Sequence, residues 1–292
     1  MQSTVTVKNN IKSSKKVAKS KISKVASNIQ VVMGAIIILT LAFIAIFAPL
    51  IAPMDPIDIV VQRRLQGPSA YHFLGTDELG RDVLSRIIFG TRISLLIGVV
   101  STTFGAILGV TLGIISGYYG NKVDSIIMRI IDIMLAFPGI LLALGIVAVL
   151  GPSTFNTIIA VSIFAVPNFA RITRGSVLSI KKLEYIDAIK AIGANDFRIL
   201  TRHILPNIMS PIVVQATLYI ASAIVIAASL SFLGLGTQPP TPEWGTMLAS
   251  GREFLRQAPH LTMYPGIFIL IAVLGFNLIG DGLRDALQPK GK

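Results

Sequence analysis

The chain has 292 residues, of which 53% are hydrophobic and 14% are charged, and its mean hydropathy is +0.74. A soluble globular domain carries about 25% charged residues, so this chain has too little polar material to cover a water-facing surface. The composition therefore indicates an integral membrane protein. The absence of cysteine excludes disulfides and thiolate chemistry.

Part of the net charge of +12 comes from a lysine-rich N-terminus. Seven lysines precede the first apolar segment, and the first acidic residue of the chain is Asp55. This distribution is typical of a cytoplasmic flank beside anionic membrane lipid, and not of a surface that binds nucleic acid. We interpret residues 1–30 as a basic cytoplasmic N-terminal segment. The apolar segment after it is longer than the roughly 7–15 residues of a signal peptide and is predicted to be a retained anchor.

Uncharged runs of about 20 residues predict six transmembrane helices in an all-α polytopic protein. The 38 uncharged residues between Asp132 and Arg171 exceed one crossing, and Gly151-Pro152-Ser153 divides them into two spans. The predicted spans are residues 31–52, 93–117, 126–150, 155–173, 210–233 and 262–282. They define a transmembrane domain over residues 31–283, followed by a cytoplasmic tail over residues 284–292.

The distribution of lysine and arginine predicts the orientation of these spans. With the N-terminus inside, 18 of the 26 basic residues fall on the cytoplasmic side and 7 on the opposite side. By the positive-inside rule, both termini are expected to be cytoplasmic. Three loops are long enough to carry function, namely residues 53–92 and 233–262 outside and residues 174–208 inside.

Four glycines recur every fourth residue along the second predicted span: Gly105, Gly109, Gly113 and Gly117. At this spacing they fall close to one helical face, where a second backbone can approach within van der Waals distance. The pattern predicts helix packing inside the bundle, and a face that lines a ligand pathway is the alternative.

Two charged residues lie near the start of the third predicted span. Arg129 and Asp132 are three residues apart, which places them on neighbouring helical positions where they can pair. Ionisable groups at membrane depth suggest a functional role. Near the boundary of a span, however, snorkelling toward the headgroups and mutual pairing are enough to explain the two charges without one. The spans otherwise lack charges, which disfavours an ion-coupled carrier with a carboxylate relay.

The inner loop, residues 174–208, has a helix–turn–helix pattern. Gly193 is placed to end the first helix, and Asn195 or Asp196 can cap a second one, with Pro206 expected to break the chain before it re-enters the membrane. Apolar residues recur at helical spacing in the first helix, at Ile186, Ile189 and Ile192. The periodicity alone fits both an amphipathic pair on lipid headgroups and a docking element for a cytoplasmic partner.

The same loop resembles the cytoplasmic docking motif of ABC-importer permeases, whose pattern is Glu-Ala-Ala, three residues, Gly and a downstream Leu-Pro. Asp187-Ala188-Ile189 stands at the triplet, Gly193 at the glycine, and Leu205-Pro206 closes the motif. Two residues depart from the pattern. Asp187 keeps the negative charge of the usual Glu on a shorter side chain, and Ile189 is bulkier than the usual Ala on a face that should pack closely.

Blocks elsewhere resemble the dipeptide/oligopeptide/nickel permease family and most of all its C-type subunit, over about residues 30–289. The blocks are residues 74–86, the stretch from 117–120 to 136–138, residues 231–236 followed by 239–245, and residues 280–285. The resemblance implies the type I ABC-importer permease fold. It also implies four kinds of partner: a B-type permease, two ABC ATPase subunits, an extracytoplasmic binding protein and membrane lipid.

The resemblance assigns ATPase docking to the inner loop and leaves catalysis to the partners. The docking residues that it implies are Glu184, Asp187, Ala188, Gly193, Arg198, Leu205 and Pro206. The sequence has no phosphate-binding loop, because its only Gly-Lys pair is Gly291-Lys292 and Ala286 stands where the motif needs its first glycine. We therefore expect no catalytic residue and no cofactor on this chain, with ATP and magnesium bound by the partner ATPase subunits.

The outer loops carry charged and aromatic residues with two possible roles. Asp77, Arg81 and Asp82 can form local caps and ion pairs, and Trp244 follows a proline-rich stretch as an interfacial aromatic. The alternative for all four is contact with the binding protein. The histidines, His72, His203 and His260, are far apart and are expected to be polar surface residues, so no metal site is predicted.

The sequence therefore predicts a non-catalytic permease subunit in a bacterial or archaeal plasma membrane, forming half of the pathway for di- or oligopeptides. Uptake of nickel or a metal chelate by the same architecture is the first alternative. A self-sufficient secondary transporter and a membrane-embedded enzyme are the others, but neither a clear internal repeat nor a motif such as His-Glu-x-x-His within a span is present.

Overall fold

The computed structural model describes residues 25–287. Most of the predicted basic N-terminal segment and the last five residues of the predicted tail lie outside the described residues. Within residues 25–287 every regular element is a helix, and the extended pairing there is one isolated antiparallel bridge between Thr76 and Asp82. The prediction of an all-α protein is confirmed.

The first half of the chain forms five α-helices and a 3₁₀ turn at Val61–Arg63. The helices are α1 Ile29–Ile46, α2 Ala48–Ile51, α3 Val83–Tyr119, α4 Asn121–Ala136 and α5 Gly139–Leu150. The second half contains a π-helical turn at Leu200–Ile204 and a 3₁₀ turn at Arg252–Phe254. Its helices are α6 Thr154–Lys181, α7 Glu184–Ala191, α8 Asp196–Ile199, α9 Leu205–Phe232, α10 Trp244–Gly251 and α11 His260–Leu287.

Five helical runs among the described residues are long and apolar enough to cross a membrane: α1, α3, α6, the run Asp196–Phe232 and α11. The pair α4 and α5 makes a sixth span if the two are taken together, but they are bent by 92°. The prediction of one straight helix over residues 126–150 is therefore wrong. Pro138 disfavours helical conformation at the preceding residue, and Phe137 is extended with φ −85° and ψ 137°.

Two predicted helix boundaries also move. Helix α3 begins ten residues before the predicted start at residue 93, because the Asp82 carboxylate caps it by accepting from the backbone N–H of Ser85 at 2.8 Å. Pro206 does not break the chain as expected. It lies in the first turn of α9, where the missing N–H is tolerated, and the π-helical turn joins α8 to α9 without interruption. The inner segment between the end of α6 and the start of α9 is residues 182–204.

The core lies between α3, α5, α6 and α9. Its fully buried members include Ile97, Val147, Val161, Phe169 and Leu230. Helix α11 packs against α1 and α9 around a second cluster with Leu41, Ala272 and Phe276. The remaining surface of the long helices is apolar, as in Leu39 of α1, which is 68% exposed, and this suits contact with lipid or with another membrane subunit.

The expected pair between Arg129 and Asp132 is not the pair that forms. Asp132 accepts from the Arg171 guanidinium at 2.8 Å, and both side chains are exposed. Helix α6 runs beside α4, so Arg171 can reach Asp132 from the neighbouring helix. Asp132 therefore has a basic partner without Arg129 of its own helix.

Candidate functional site

Residues 182–204 form the helix–turn–helix that the sequence predicts at one end of the bundle. Gly193 has a φ of +85°, a conformation that side chains with a Cβ rarely adopt, and this lets the chain turn directly after α7. Asn195 then caps α8 by accepting from the backbone N–H of Arg198 at 2.9 Å. The sequence identified Gly193 and offered Asn195 or Asp196 as the cap, of which the structure has Asn195. We call residues 182–204 the α7–α8 loop.

The α7–α8 loop is apolar on both of its faces. Ile186 and Ile199 are fully buried and pack the loop onto the ends of α3, α6 and α9. Ile192 and Phe197 lie on the opposite side and are 84% and 74% exposed. Large apolar side chains exposed at the tip of a loop that is otherwise packed onto the bundle are typical of a protein-binding surface.

The residues assigned to docking lie on or beside this tip. Two of them, Glu184 and Asp187, are the acidic residues in the first turn of α7. Five of the seven are exposed in the loop itself: Glu184, Asp187, Ala188, Gly193 and Arg198. Leu205 instead packs against the buried cluster beneath the loop, and Pro206 is exposed at the start of α9.

Beneath the α7–α8 loop lies a polar network that the sequence did not reveal. Tyr118, near the end of α3, donates from its hydroxyl to the Asp196 carboxylate at 2.6 Å. Close by, Arg174 of α6 makes two hydrogen bonds of 2.6 Å to Asp124 of α4, and Ser116 of α3 also donates to Asp124. These contacts join residues up to 78 positions apart, so local spacing could not indicate them.

The four glycines of α3 lie against α6. A Cβ added at any of them would come within 2.3–2.8 Å of an α6 atom, far inside the roughly 3.5–4.0 Å of a normal contact between carbon atoms. The nearest residues of α6 are Ala165, Phe169, Ala170 and Val177 for Gly105, Gly109, Gly113 and Gly117 respectively. The geometry is that of close helix packing, and it leaves no space for a ligand on this face.

The opposite end of the bundle carries a buried cluster of charged residues. Arg81 donates to Asp77 at 2.7 Å and to Glu78 at 3.0 Å, and Arg86 lies 3.3 Å from the same Asp77 carboxylate. Asp77 and Arg81 are 5% and 4% exposed. Because buried charges need partners, these pairs hold the segment before α3 in place, and the two side chains are not available as an outer contact surface.

Asp82 belongs to the same end and serves as the cap of α3. Besides capping, it accepts from the Ser85 hydroxyl at 2.7 Å and lies 3.0 Å from Nδ1 of His72. His72 and His260 are buried, so the expectation that the histidines are surface residues is wrong for these two. No group of three metal-ligating side chains occurs within residues 25–287.

Trp244 is likewise not the interfacial aromatic that the sequence predicts. It is fully buried and donates from its indole N–H to the carbonyl of Ile87 at 3.3 Å. The preceding residue, Glu243, caps α10 by accepting from the backbone N–H groups of Gly245 and Thr246, both at 2.9 Å, and from the Ser94 hydroxyl at 3.1 Å. Sequence reasoning missed Glu243, because glutamate is not among the Ser, Thr, Asp and Asn residues that usually mark a helix N-cap.

Comparisons with known proteins place the chain in a family. A family model described as binding-protein-dependent transport system inner membrane component matches residues 109–292, and one described as N-terminal TM domain of oligopeptide transport permease C matches residues 27–68. The dipeptide transport system permease protein DppC of Alkalihalophilus pseudofirmus is 53% identical over 261 residues, covering 89% of this chain and 86% of the relative. The glutathione transport system permease protein GsiD of Pectobacterium atrosepticum is 50% identical over 262 residues, covering 89% and 87%.

The fold has a counterpart among solved structures. An inward facing conformation of the MetNI methionine ABC transporter matches with a TM-score of 0.58 at 19% identity, covering 70% of this chain and 98% of that one. The fold is thus shared with a chain of a solved ABC transporter. The chain belongs to the family of binding-protein-dependent transport system inner membrane components. It is a non-catalytic, multi-pass permease subunit, as predicted, and in this family the ATPase is on separate subunits.

Proposed function

We propose that this chain forms half of the membrane pathway of an importer for di- or oligopeptides. Two relatives, 53% and 50% identical over 89% of the chain, are named for dipeptide and glutathione transport, and this observation carries the proposal. Glutathione and dipeptides share a charged amino group, carboxylates and peptide bonds. The imported substrate is accordingly a short peptide, delivered by an extracytoplasmic binding protein to a pathway shared with a B-type permease.

The experiment uses the assembled importer in proteoliposomes with its binding protein. Radiolabelled dipeptide uptake should require ATP and should be competed by other short peptides, but not by free amino acids or by nickel ions. Competition by nickel at a concentration at which peptides have no effect would contradict the peptide assignment and favour the metal alternative.

The α7–α8 loop is proposed to be the contact with the ATPase subunits. Its exposed apolar tip at Ile192 and Phe197, flanked by carboxylates of α7 and by Arg198, combines an apolar anchor with a charged rim, as in specific protein interfaces. A loop that only rested on headgroups would be expected to carry a basic rim, whereas residues 182–204 contain three acidic residues among four basic ones.

Cross-linking through an introduced cysteine can test the docking site. This chain contains no cysteine of its own, so no other residue of this subunit would react. Ile192→Cys should form an adduct with an ATPase subunit in the assembled complex. Tyr71→Cys is the matched control, since Tyr71 is 76% exposed at the other end of the bundle, and it should form none. Equal reactivity of Ile192→Cys toward a soluble thiol reagent in the free and the assembled subunit would refute docking at this tip.

The proposed orientation places the α7–α8 loop and both termini in the cytoplasm of a bacterial or archaeal cell. The excess of basic residues on the α7–α8 side of the spans supports it. ATP and magnesium would then be bound by ATPase subunits that reach the loop from the same side.

A further inference from the structure

Tyr118 occupies an unusual place in the fold. It is the last residue but one of α3 and is only 4% exposed, packed in one cluster with Ile186 of α7 and Ile199 of α8. Its neighbour Tyr119 is 49% exposed and contacts Tyr118 edge-on at 5.2 Å between ring centroids. Of two adjacent tyrosines, one is thus enclosed by the α7–α8 loop and the other is largely free.

Four elements meet at the Tyr118 side chain and backbone. The hydroxyl donates to Asp196 at the start of α8 at 2.6 Å. The ammonium of Lys181, the last residue of α6, donates to the Tyr118 carbonyl at 2.5 Å and lies 5.6 Å from the ring centroid. Lys190 of α7 approaches the ring at 5.4 Å. One residue of α3 therefore makes directional contacts with both short helices of the loop and with the end of α6.

The helix that carries Tyr118 is firmly joined to its neighbours. Gly117 lies against Val177 so closely that an added Cβ would be 2.8 Å from it, and the bidentate pair between Arg174 and Asp124 ties α6 to the start of α4. Because Ser116 also bonds Asp124, a displacement of the end of α3 would be shared by α6 and α4. Helix α4 in turn leads into the 92° bend before α5.

We propose that Tyr118 is a positioning residue for coupling: its hydroxyl, held by Asp196, transmits displacement of the α7–α8 loop to α3 and hence to α6 and α4. The proposal rests on the proposed function, in which the ATPase subunits push on this loop. Apolar contacts are non-directional and permit sliding, whereas a short hydrogen bond to a carboxylate fixes both distance and direction. Without the hydroxyl the loop should still pack and dock, but it should slip against α3.

The test is the ratio of peptide taken up to ATP hydrolysed by the complete importer in proteoliposomes with its binding protein. Tyr118→Phe keeps the ring and should lower this ratio about three- to tenfold, on the scale of the net contribution of an ordinary intramolecular hydrogen bond, since Asp196 is exposed to water. Complex yield and thermal stability should stay near wild type. Tyr119→Phe is the matched control and should leave the ratio unchanged.

Asp196 provides a second route to the same bond. Asp196→Ala should lower the ratio as Tyr118→Phe does, and the double variant should lose no more than either one. Asp196→Asn keeps an oxygen that can accept from the hydroxyl and should retain most of the coupling. A wild-type ratio in both Tyr118→Phe and Asp196→Ala, or independent losses that multiply in the double variant, would overturn the proposal, and so would a loss of complex yield with an unchanged ratio.

Gly193→Leu, measured in the same assay, separates this inference from the proposed function. If Gly193→Leu lowers the ratio and Tyr118→Phe does not, the loop couples but Tyr118 is not its link to α3. If Gly193→Leu leaves the ratio at wild type, the docking role of the loop fails, and the inference fails with it.

Discussion

Substitution of Gly109 by alanine tests the close contact between α3 and α6 with one added methyl group. Gly109 is buried in the middle of α3 and faces α6. An added Cβ would lie 2.6 Å from the Cβ of Phe169 and 2.6 Å from the carbonyl oxygen of Val166. The second of these is backbone, which no rotamer change can move, so the two helices must separate locally.

The expected cost follows from a comparison with Gly175, which lies on α6 with no atom within 4 Å of its added Cβ. Both substitutions gain the same helix propensity, about 0.8–1.0 kcal/mol of alanine over glycine, and this gain cancels in the comparison. Only Gly109→Ala overpacks a filled contact, which typically costs about 1–3 kcal/mol. We therefore expect Gly109→Ala to be less stable than Gly175→Ala by about 1–3 kcal/mol.

The assay is thermal or denaturant unfolding of the isolated subunit in detergent, where no other subunit covers Gly175. Wild type should lie between the two variants or close to Gly109→Ala. Equal free energies of unfolding for the two variants would show that α3 and α6 can separate without cost, and the glycine face would then not be a packing contact. In the assembled importer, Gly109→Leu should lower complex yield without changing which peptides compete for uptake.

Three further predictions concern orientation, the bend and the opposite end of the bundle. A reporter fused at Gly151 should face outward and one at Asp196 inward; reversed labelling of both would contradict the proposed topology. Pro138→Ala should reduce the 92° bend between α4 and α5, seen as a longer distance between spin labels on the two helices, whereas an unchanged distance would show that packing holds the bend. Glu243→Ala should unfold more easily than Glu243→Gln by about 1–3 kcal/mol, because it leaves buried N–H groups without an acceptor; equal stability would refute the capping role.

The features predicted correctly from the sequence are those set by neighbouring residues. The spans follow from uninterrupted apolar runs, and the turn at Gly193 and the cap at Asn195 follow from residue types whose backbone preferences are local. The bend at Pro138 had an equally local signal. It was missed because counting uncharged residues treats a proline as any other apolar residue.

The features that were missed depend on contacts distant in sequence. Glu243 and Ser94 are 149 positions apart, and Tyr118 and Asp196 are 78 apart. Trp244 is buried because α10 folds back onto α3. The residue pattern within the outer loop does not indicate this contact. For Asp77, Arg81 and Asp82, the choice between local ion pairs and an outer contact also needed their burial, since spacing fits both.

The length of α3 explains why buried polar groups gather at its two ends. Its 37 residues extend about 55 Å at 1.5 Å per residue, whereas the hydrocarbon core of a bilayer is about 30 Å thick. Both ends of α3 must therefore lie outside the hydrocarbon, where polar side chains can be accommodated. The first turn is held by Asp82 and the Trp244 indole, and the last turn by Tyr118. Between them the glycine face keeps α3 against α6. A helix held by polar contacts at both ends and packed closely along its length is suited to carry a displacement from one side of a membrane to the other, as the proposed coupling requires.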